Sequence, residues 1–506
     1  MHSRSKNSVS CVFWASAGLL AATLVLGGGT KAGFLSDLLL QLAAVPVLAI
    51  ALWGLLHGQP TKVSLVPLVF CAMVIAMPLL QLVPLPAAIW AALPNRAAEA
   101  EVFQLVGERL PWRPMSMVPS ATWFSLLSLT VPVAVFLSVI QLTRQERRWL
   151  TLLVVGISAL AVILGLSQLA VGKQAAIRFF ELTNESEATG FFANRNHFAA
   201  LLYCAFLFAA VWAMEVVRRS DTAGDRSVLG PDAVVLLVIV TILVGLIAGQ
   251  AMARSRAGIA LGIVAIAVAV GIAVGDRRRG SKLSPTHVLG GVLTIGFVLI
   301  GQFALYRIAQ RFGSDPFEDA RRVFSSSTIA AAQDLMPTGS GLGTFVPVFA
   351  LYEKATDLIP NVFANRAHND WLEFWLEAGL VAILCICVFL AWLAVKSFSA
   401  WRRARSSDEP PIDIALRRAS IAIVGLLIAH SLVDYPLRTA AMASVFAFAC
   451  GIIAIPTKST DHRSRRTTTH VRYPPERQNS KNTLPARKIR PRKDWRPDHD
   501  WPEAWR

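Results

Sequence analysis

The chain has 506 residues, of which 54% are hydrophobic and only 16% charged. Its mean hydropathy of +0.52 excludes an ordinary soluble globular protein. The formal charge of +17 invites a nucleic-acid reading, but the Lys and Arg residues lie between apolar runs and in the C-terminal tail, not on a soluble face. The sequence therefore predicts a membrane partner and no nucleic acid.

A bilayer core about 30 Å thick needs roughly 20 apolar residues per helix. On that criterion the windows 11–29, 34–56, 64–86, 121–142, 149–171, 197–216, 232–251, 256–275, 288–307, 371–396, 418–435 and 438–456 predict an all-α, polytopic bundle of about twelve transmembrane helices. Arg4 and Lys6 followed by the first window look like a signal peptide, but the run is too long for a usual apolar signal core and no small-x-small cleavage site follows. It reads as a retained signal anchor. Arg144, Arg147 and Arg148, then Arg218 and Arg219, then Arg277, Arg278, Arg279 and Lys282, then Arg402, Arg403 and Arg405 fall in every second loop. The positive-inside rule puts those loops and both termini in the cytoplasm of a bacterial inner-membrane protein. Segments 87–120 and 172–196 and the large loop 309–370 are then expected in the periplasm.

The six cysteines, Cys11, Cys71, Cys204, Cys385, Cys387 and Cys450, all lie in apolar runs, where they act as small hydrophobes and not as a disulfide framework. Cys385 and Cys387, two residues apart on a helix, point to different faces and supply no metal site. Arg254 and Arg256 occupy a short turn on the expected periplasmic side and break the positive-inside pattern, a functional hint at a membrane boundary; snorkelling to headgroups is the plainer alternative. Gly258 and Gly262 follow at G-x-x-x-G spacing, which suggests a close helix contact. After Pro456 the chain is polar, basic and Pro-containing, so 457–506 is expected to be a disordered cytoplasmic tail suited to anionic headgroups. Its Asp498-His499-Asp500 triplet carries no metal assignment.

Four polar clusters stand at helix edges on the expected periplasmic side: Gly190-Phe-Phe-Ala-Asn-Arg-Asn-His197, Arg254-Ser-Arg256, Gly339-Ser-Gly-Leu-Gly343, and Arg366-Ala-His-Asn-Asp370 running into Trp371, Glu373 and Glu377. Together with His430-Ser-Leu-Val-Asp-Tyr-Pro-Leu-Arg438 they resemble, in order, the O-antigen ligase and polymerase family. The resemblance divides the chain into N-terminal helices (1–189), a ligase-like region (190–438), a last transmembrane helix (439–456) and the tail (457–506).

The resemblance implies a membrane glycosyltransferase that moves a glycan from undecaprenyl pyrophosphate, on the periplasmic side, to lipid A core or to another glycan. It leaves ligase and polymerase of O-antigen or exopolysaccharide open. A secondary transporter is the reading from another class; the absence of an internal sequence repeat and the crowding of polar clusters on one side speak against it. For a diphosphate donor the planar, always-charged guanidinium is the best partner, so Arg195, Arg254, Arg256 and Arg366 are substrate-binding candidates. Diphosphate is already a good leaving group, and the reaction needs charge stabilisation and an activated hydroxyl, with no metal and no cofactor expected. His368 is the candidate general base. Asn369, Asp370, Glu377, Asn194 and His197 are further substrate-binding candidates, with the alternative of a structural hydrogen-bonding role at a helix start for His197 and of helix capping for Asn194 and Asn196. Glu373 and Glu377, one turn apart, are expected to pair with arginines inside the bundle. For His430, Asp434 and Arg438, Pro436 disfavours continuous helix, so a helix-end brace and a substrate contact both stand. The glycines 339, 341 and 343 fit either a phosphate cradle or a flexible turn.

Overall fold

The computed structural model describes residues 10–31, 33, 35–57, 65–172, 177–180, 187–223, 230–275, 290, 316–355, 363–402 and 409–455. Among these the chain is almost entirely helical, because apolar backbone in hydrocarbon must satisfy its own N–H and C=O groups. The helices are α1 (Cys11–Leu26), α2 (Leu35–His57), α3 (Leu65–Gln81), α4 (Ala87–Trp90), α5 (Ala97–Leu105), α6 (Pro119–Val139), α7 (Arg144–Val171), α8 (Arg195–Ala223), α9 (Pro231–Ala253), α10 (Arg256–Gly275), α11 (Pro316–Asp334), α12 (Phe345–Tyr352), α13 (Asp370–Arg402), α14 (Pro411–His430) and α15 (Ala440–Ala454). Two short strands, β1 (Pro84–Leu85) and β2 (Arg113–Pro114), pair antiparallel between α3 and α6. Seven of the helices, α2, α6 to α10 and α13, are long and apolar enough to cross a membrane.

Each predicted window falls on a helix except 288–307, which apart from Gly290 lies outside the described residues, as does the tail 457–506. Two boundaries move for local reasons. The third helix stops at Gln81 and not near 86, because Pro84 and Pro86 cannot continue it and β1 takes over. The helix expected over 418–435 spans Pro411–His430: its early arginines are accommodated, Arg417 on Glu409 at 2.8 Å and Arg418 stacked 4.6 Å over Trp401, and it ends well before Pro436. Hydropathy also missed α11 and α12 in the long loop, since neither is an extended apolar run. They pack against α13 around Phe324, Leu335, Phe345, Phe349 and Leu376.

The core is organised on α8, where every residue from Phe198 to Val211 is buried and against which α7, α9, α10 and α14 pack. In lipid such contacts depend on close packing at small residues. A Cβ on Gly258 would come within 2.4 Å of the Ala199 Cβ, so α10 and α8 approach as closely as the spacing suggested. Gly262 makes no comparably tight contact, its nearest neighbour being Gln250 at 3.8 Å.

The two ends of the bundle differ. At one, Glu146 completes a capping box with Thr143 and also accepts from the backbone and hydroxyl of Ser10 at the start of α1, while Arg148 forks onto Asp413 at 2.8 and 2.9 Å. At the other, Gly28 O accepts from Ala193 N and Gly27 O from Ala441 N. This ties the end of α1 to the starts of α8 and α15, beside most of the polar clusters.

Candidate functional site

The site is built around a break in α13. Gly379 has φ +56 and ψ −132 within this 33-residue helix, a conformation reserved for glycine. The break frees the carbonyls of Leu376 and Glu377, which accept from Ser340 N at 3.0 Å and Gly341 N at 2.9 Å, while Leu380 N donates to Pro337 O at 2.9 Å. The Gly339 to Gly343 loop therefore docks into the kink. A Cβ on Gly339 would lie 2.7 Å from the Glu377 backbone. Gly343 N donates to Glu377 Oε1 and Leu342 N to Gln81 Oε1, both at 2.9 Å. These amides are consumed internally, so the glycines form a turn, as one of the two readings had it, but one docked into the kink and not flexible, and their amides are not left to cradle phosphate.

Asp370, Glu373 and Glu377 follow at i, i+3 and i+7 along one face of α13, and all three are buried. Arg438, on the 3-10 turn Pro436–Arg438, reaches all of them: Glu377 at 2.8 Å and Glu373 and Asp370 at 3.5 Å each. Burial by itself would lower the Arg438 basicity, but the three carboxylates outweigh it and hold the guanidinium firmly protonated. Glu373 also takes Arg366 at 2.9 Å and the Ala367 amide at 3.0 Å. Buried charges at this depth persist only when paired.

Above this network lies a second one, centred on Asp434. Its Oδ1 lies 3.2 Å from His368 Nδ1 and its Oδ2 accepts from Asn196 at 2.5 Å. Burial pushes the Asp434 carboxyl up, but the His368 hydrogen bond, the neighbouring histidines and Arg321 outweigh it and hold the group well below the usual carboxylate range. His368 is the partly exposed member of the pair, 22% against 1%. Its ring stacks on Phe324 at 6.3 Å and meets Tyr435 edge-on at 4.9 Å. Burial pushes the Tyr435 hydroxyl up to about 12. His197 is fully buried against the other edge of Tyr435, and among the described residues neither of its ring nitrogens has a hydrogen-bond partner. His430 pairs with Tyr203 at 3.1 Å.

The sequence candidates thus separate by role. Asn194 caps α8, its Oδ1 accepting from Asn196 N at 2.8 Å. Asn369 caps α13, accepting from Trp371 N and Leu372 N at 3.0 and 3.1 Å. Asp370 accepts from Ser431 and Leu437 N, and Glu377 from Arg438 and Gly343. Arg195 holds Glu187 at 3.0 Å. Arg254 and Arg256 flank buried Ser255, whose hydroxyl accepts from Gly258 N at the start of α10, and the turn lies beside the α8 start through Ala188 N to Met252 O. The Arg254 guanidinium has no partner among the described residues.

Among the described residues only Asn95, Arg254 and His368 are non-glycine residues with positive φ, at +60, +50 and +50. Such strain persists where surroundings impose it, and it concentrates at functional sites. One turn into the bundle from the Arg254 turn, Leu202, Tyr203, Leu246, Gln250, Ile259 and Ile263 line an apolar groove between α8, α9 and α10.

The sequence left Asp434 and Arg438 open between a helix-end brace and a substrate contact. Their spacing by four from His430 was the visible signal, and their partners on other helices were not. Arg321, on amphipathic α11, left no signal. Residues 237–387 match a family model described as O-antigen ligase, a stretch holding Arg254, Arg256, the glycine turn, His368 and the three carboxylates. No curated protein matches the chain by sequence.

Proposed function

We propose that this chain, assigned to the O-antigen ligase family by the match over residues 237–387, transfers a glycan from a polyprenyl-diphosphate donor to a hydroxyl of lipid A core or of another glycan. The observation that carries the reading is the His368–Asp434 pair, 3.2 Å apart, with an imidazole in a strained backbone position at the polar end of the bundle. Asp434 anchors Nδ1 and leaves Nε2 for substrate. As the acceptor oxygen attacks the anomeric carbon, its proton passes to Nε2, and the anomeric C–O bond breaks with its electron pair leaving on the lipid diphosphate. Asp434 stabilises the imidazolium that results. Arg254 and Arg256 receive the diphosphate charge. The site end faces the periplasm and both termini face the cytoplasm, in keeping with the alternation of basic loops.

The test is transfer from purified lipid-linked glycan in proteoliposomes. His368→Ala should lower the transfer rate by roughly 10²- to 10⁴-fold with donor binding intact. A folded, donor-binding alanine variant transferring at the wild-type rate would refute the assignment. A phosphatase reporter active near residue 340 and inactive near the C-terminus is the expected topology result; the reverse would overturn the sidedness.

A further inference from the structure

Between α3 and α6 the chain folds into a small lobe with an interior of its own. Trp90 is fully buried; its indole donates to Pro111 O at 2.8 Å and meets Phe103 of α5 edge-on. Arg96 and Arg113 converge on Glu99 at 2.5 and 2.8 Å, and the Arg113 guanidinium lies 5.6 Å over the Phe103 ring. These contacts occupy one face of α5 and fix its rotation.

The opposite face is apolar and uncovered. Ala98, Val102, Leu105 and Val106 stand at i, i+4, i+7 and i+8, a spacing that makes a stripe about 100° wide on a helix. All four are exposed, Leu105 by 79%. Trp112, 67% exposed, follows immediately before β2. Single exposed apolar side chains need no explanation, but a patterned stripe joined by a tryptophan marks an interface.

Two observations identify what covers it. The lobe is joined to the bundle by the β1–β2 stem, only two residues long, or roughly 7 Å, so α5 stays close to the bilayer surface at which α3 ends and α6 begins. The lipid-facing surface of those helices also continues up to the stem: Leu80 and Val83 before β1 and Trp123 and Phe124 after β2 are all exposed, the aromatic pair standing where an interfacial belt forms.

We propose that α5 is an interfacial helix, with Val102, Leu105, Val106 and Trp112 seated among the headgroups and upper acyl chains of the phospholipid leaflet on the site side of the membrane. The seat bears on the site. Met117 N, just beyond β2, donates to Ser340 O at 2.8 Å, and Asn95 donates to the Tyr352 hydroxyl of α12 at 2.5 Å. A seated lobe therefore ties both the glycine turn and α12 to the membrane surface.

The experiment uses the full-length protein with Cys11→Ser and Cys387→Ser, which removes the exposed native thiols, reconstituted in phosphatidylethanolamine–phosphatidylglycerol vesicles. Leu105→Cys, Trp112→Cys and Gln104→Cys are introduced one at a time and labelled with bimane; all three positions are exposed, so the label displaces no core. Fluorescence at 105 and 112 should be quenched by phospholipid brominated on its acyl chains and shielded from aqueous iodide, while the label at 104, beside the stripe, should show the reverse preference. A label at 105 as open to iodide as the one at 104 would overturn the proposal. Protection at 105 from both quenchers would put a protein neighbour on the stripe and would overturn it equally.

Discussion

Replacing Asp434 with Asn tests the dyad at almost constant volume. The carboxylate makes two contacts, Oδ1 to His368 Nδ1 at 3.2 Å and Oδ2 to Asn196 Nδ2 at 2.5 Å. An amide offers one oxygen and one NH₂ group. If the oxygen faces His368, the imidazolium formed during transfer loses a charge-assisted hydrogen bond, a contribution of roughly 1.5–3 kcal/mol. At 1.36 kcal/mol per factor of ten, the rate falls by about 10- to 150-fold, and the rather long 3.2 Å contact favours the lower part of that range. If the NH₂ group faces His368, Nδ1 must accept, Nε2 carries the proton, and the loss is larger because the base is in the wrong tautomer. The assay is the initial rate of glycan transfer in proteoliposomes per folded protein, with donor binding measured alongside. Because the Asp434 carboxyl is held below its ordinary value, its contribution to stability is complete above about pH 4 and is lost as pH falls further. The Asn variant should therefore lack that part of the acid destabilisation seen in wild type. A variant within twofold of wild-type turnover would show that Asp434 does not orient the base.

Arg256→Lys keeps the charge but not the fork, so transfer should fall about tenfold or more with normal membrane insertion; wild-type turnover would return Arg256 to headgroup snorkelling. Arg438→Gln leaves the α13 carboxylates without their shared cation and should destabilise the protein by roughly 3–5 kcal/mol, read as a lowered unfolding temperature in detergent; a variant as stable as wild type would contradict the bracing role. Gly379→Ala forces a side chain into φ +56 with its Cβ 2.2 Å from Pro337 O, costing about 1–3 kcal/mol from backbone strain alone. Its unfolding temperature should drop, and an unchanged value would show that the kink is not required.

Hydropathy sufficed for the spanning helices because in hydrocarbon an apolar run has one backbone solution. It also singled out His368 and Arg256 as candidates, since charged or titratable groups at the ends of apolar helices are costly without a purpose. The partnership of His368 with Asp434 was not legible: the two lie 66 positions apart, and nothing in either local pattern encodes the contact. The same holds for α11, whose apolar face is too intermittent to register as a span yet places Phe324 on the His368 ring. The glycine turn was ambiguous from sequence because a phosphate cradle and a tight dock both require small residues. Only the destination of each N–H, into the opened turn of α13, separates them.

The two polar networks depend on one another through the backbone. Asp370 N donates to Ser431 O at 2.9 Å and to Asp434 O at 3.3 Å, and its side chain holds Ser431 and Leu437 N. Arg438 fastens the far end of the same turn to Glu377, and Glu377 holds the glycine loop in the kink. The turn 431–438 is thus fixed at both ends against α13, and Asp434, between those anchors, has little freedom in where it presents its carboxylate to His368. Charges that contribute little as isolated pairs gain their importance by determining that position. In the proposed enzyme, then, the buried acidic face of α13 acts on the reaction through the geometry of the dyad, while substrate phosphate is left to the arginines that α13 does not neutralise.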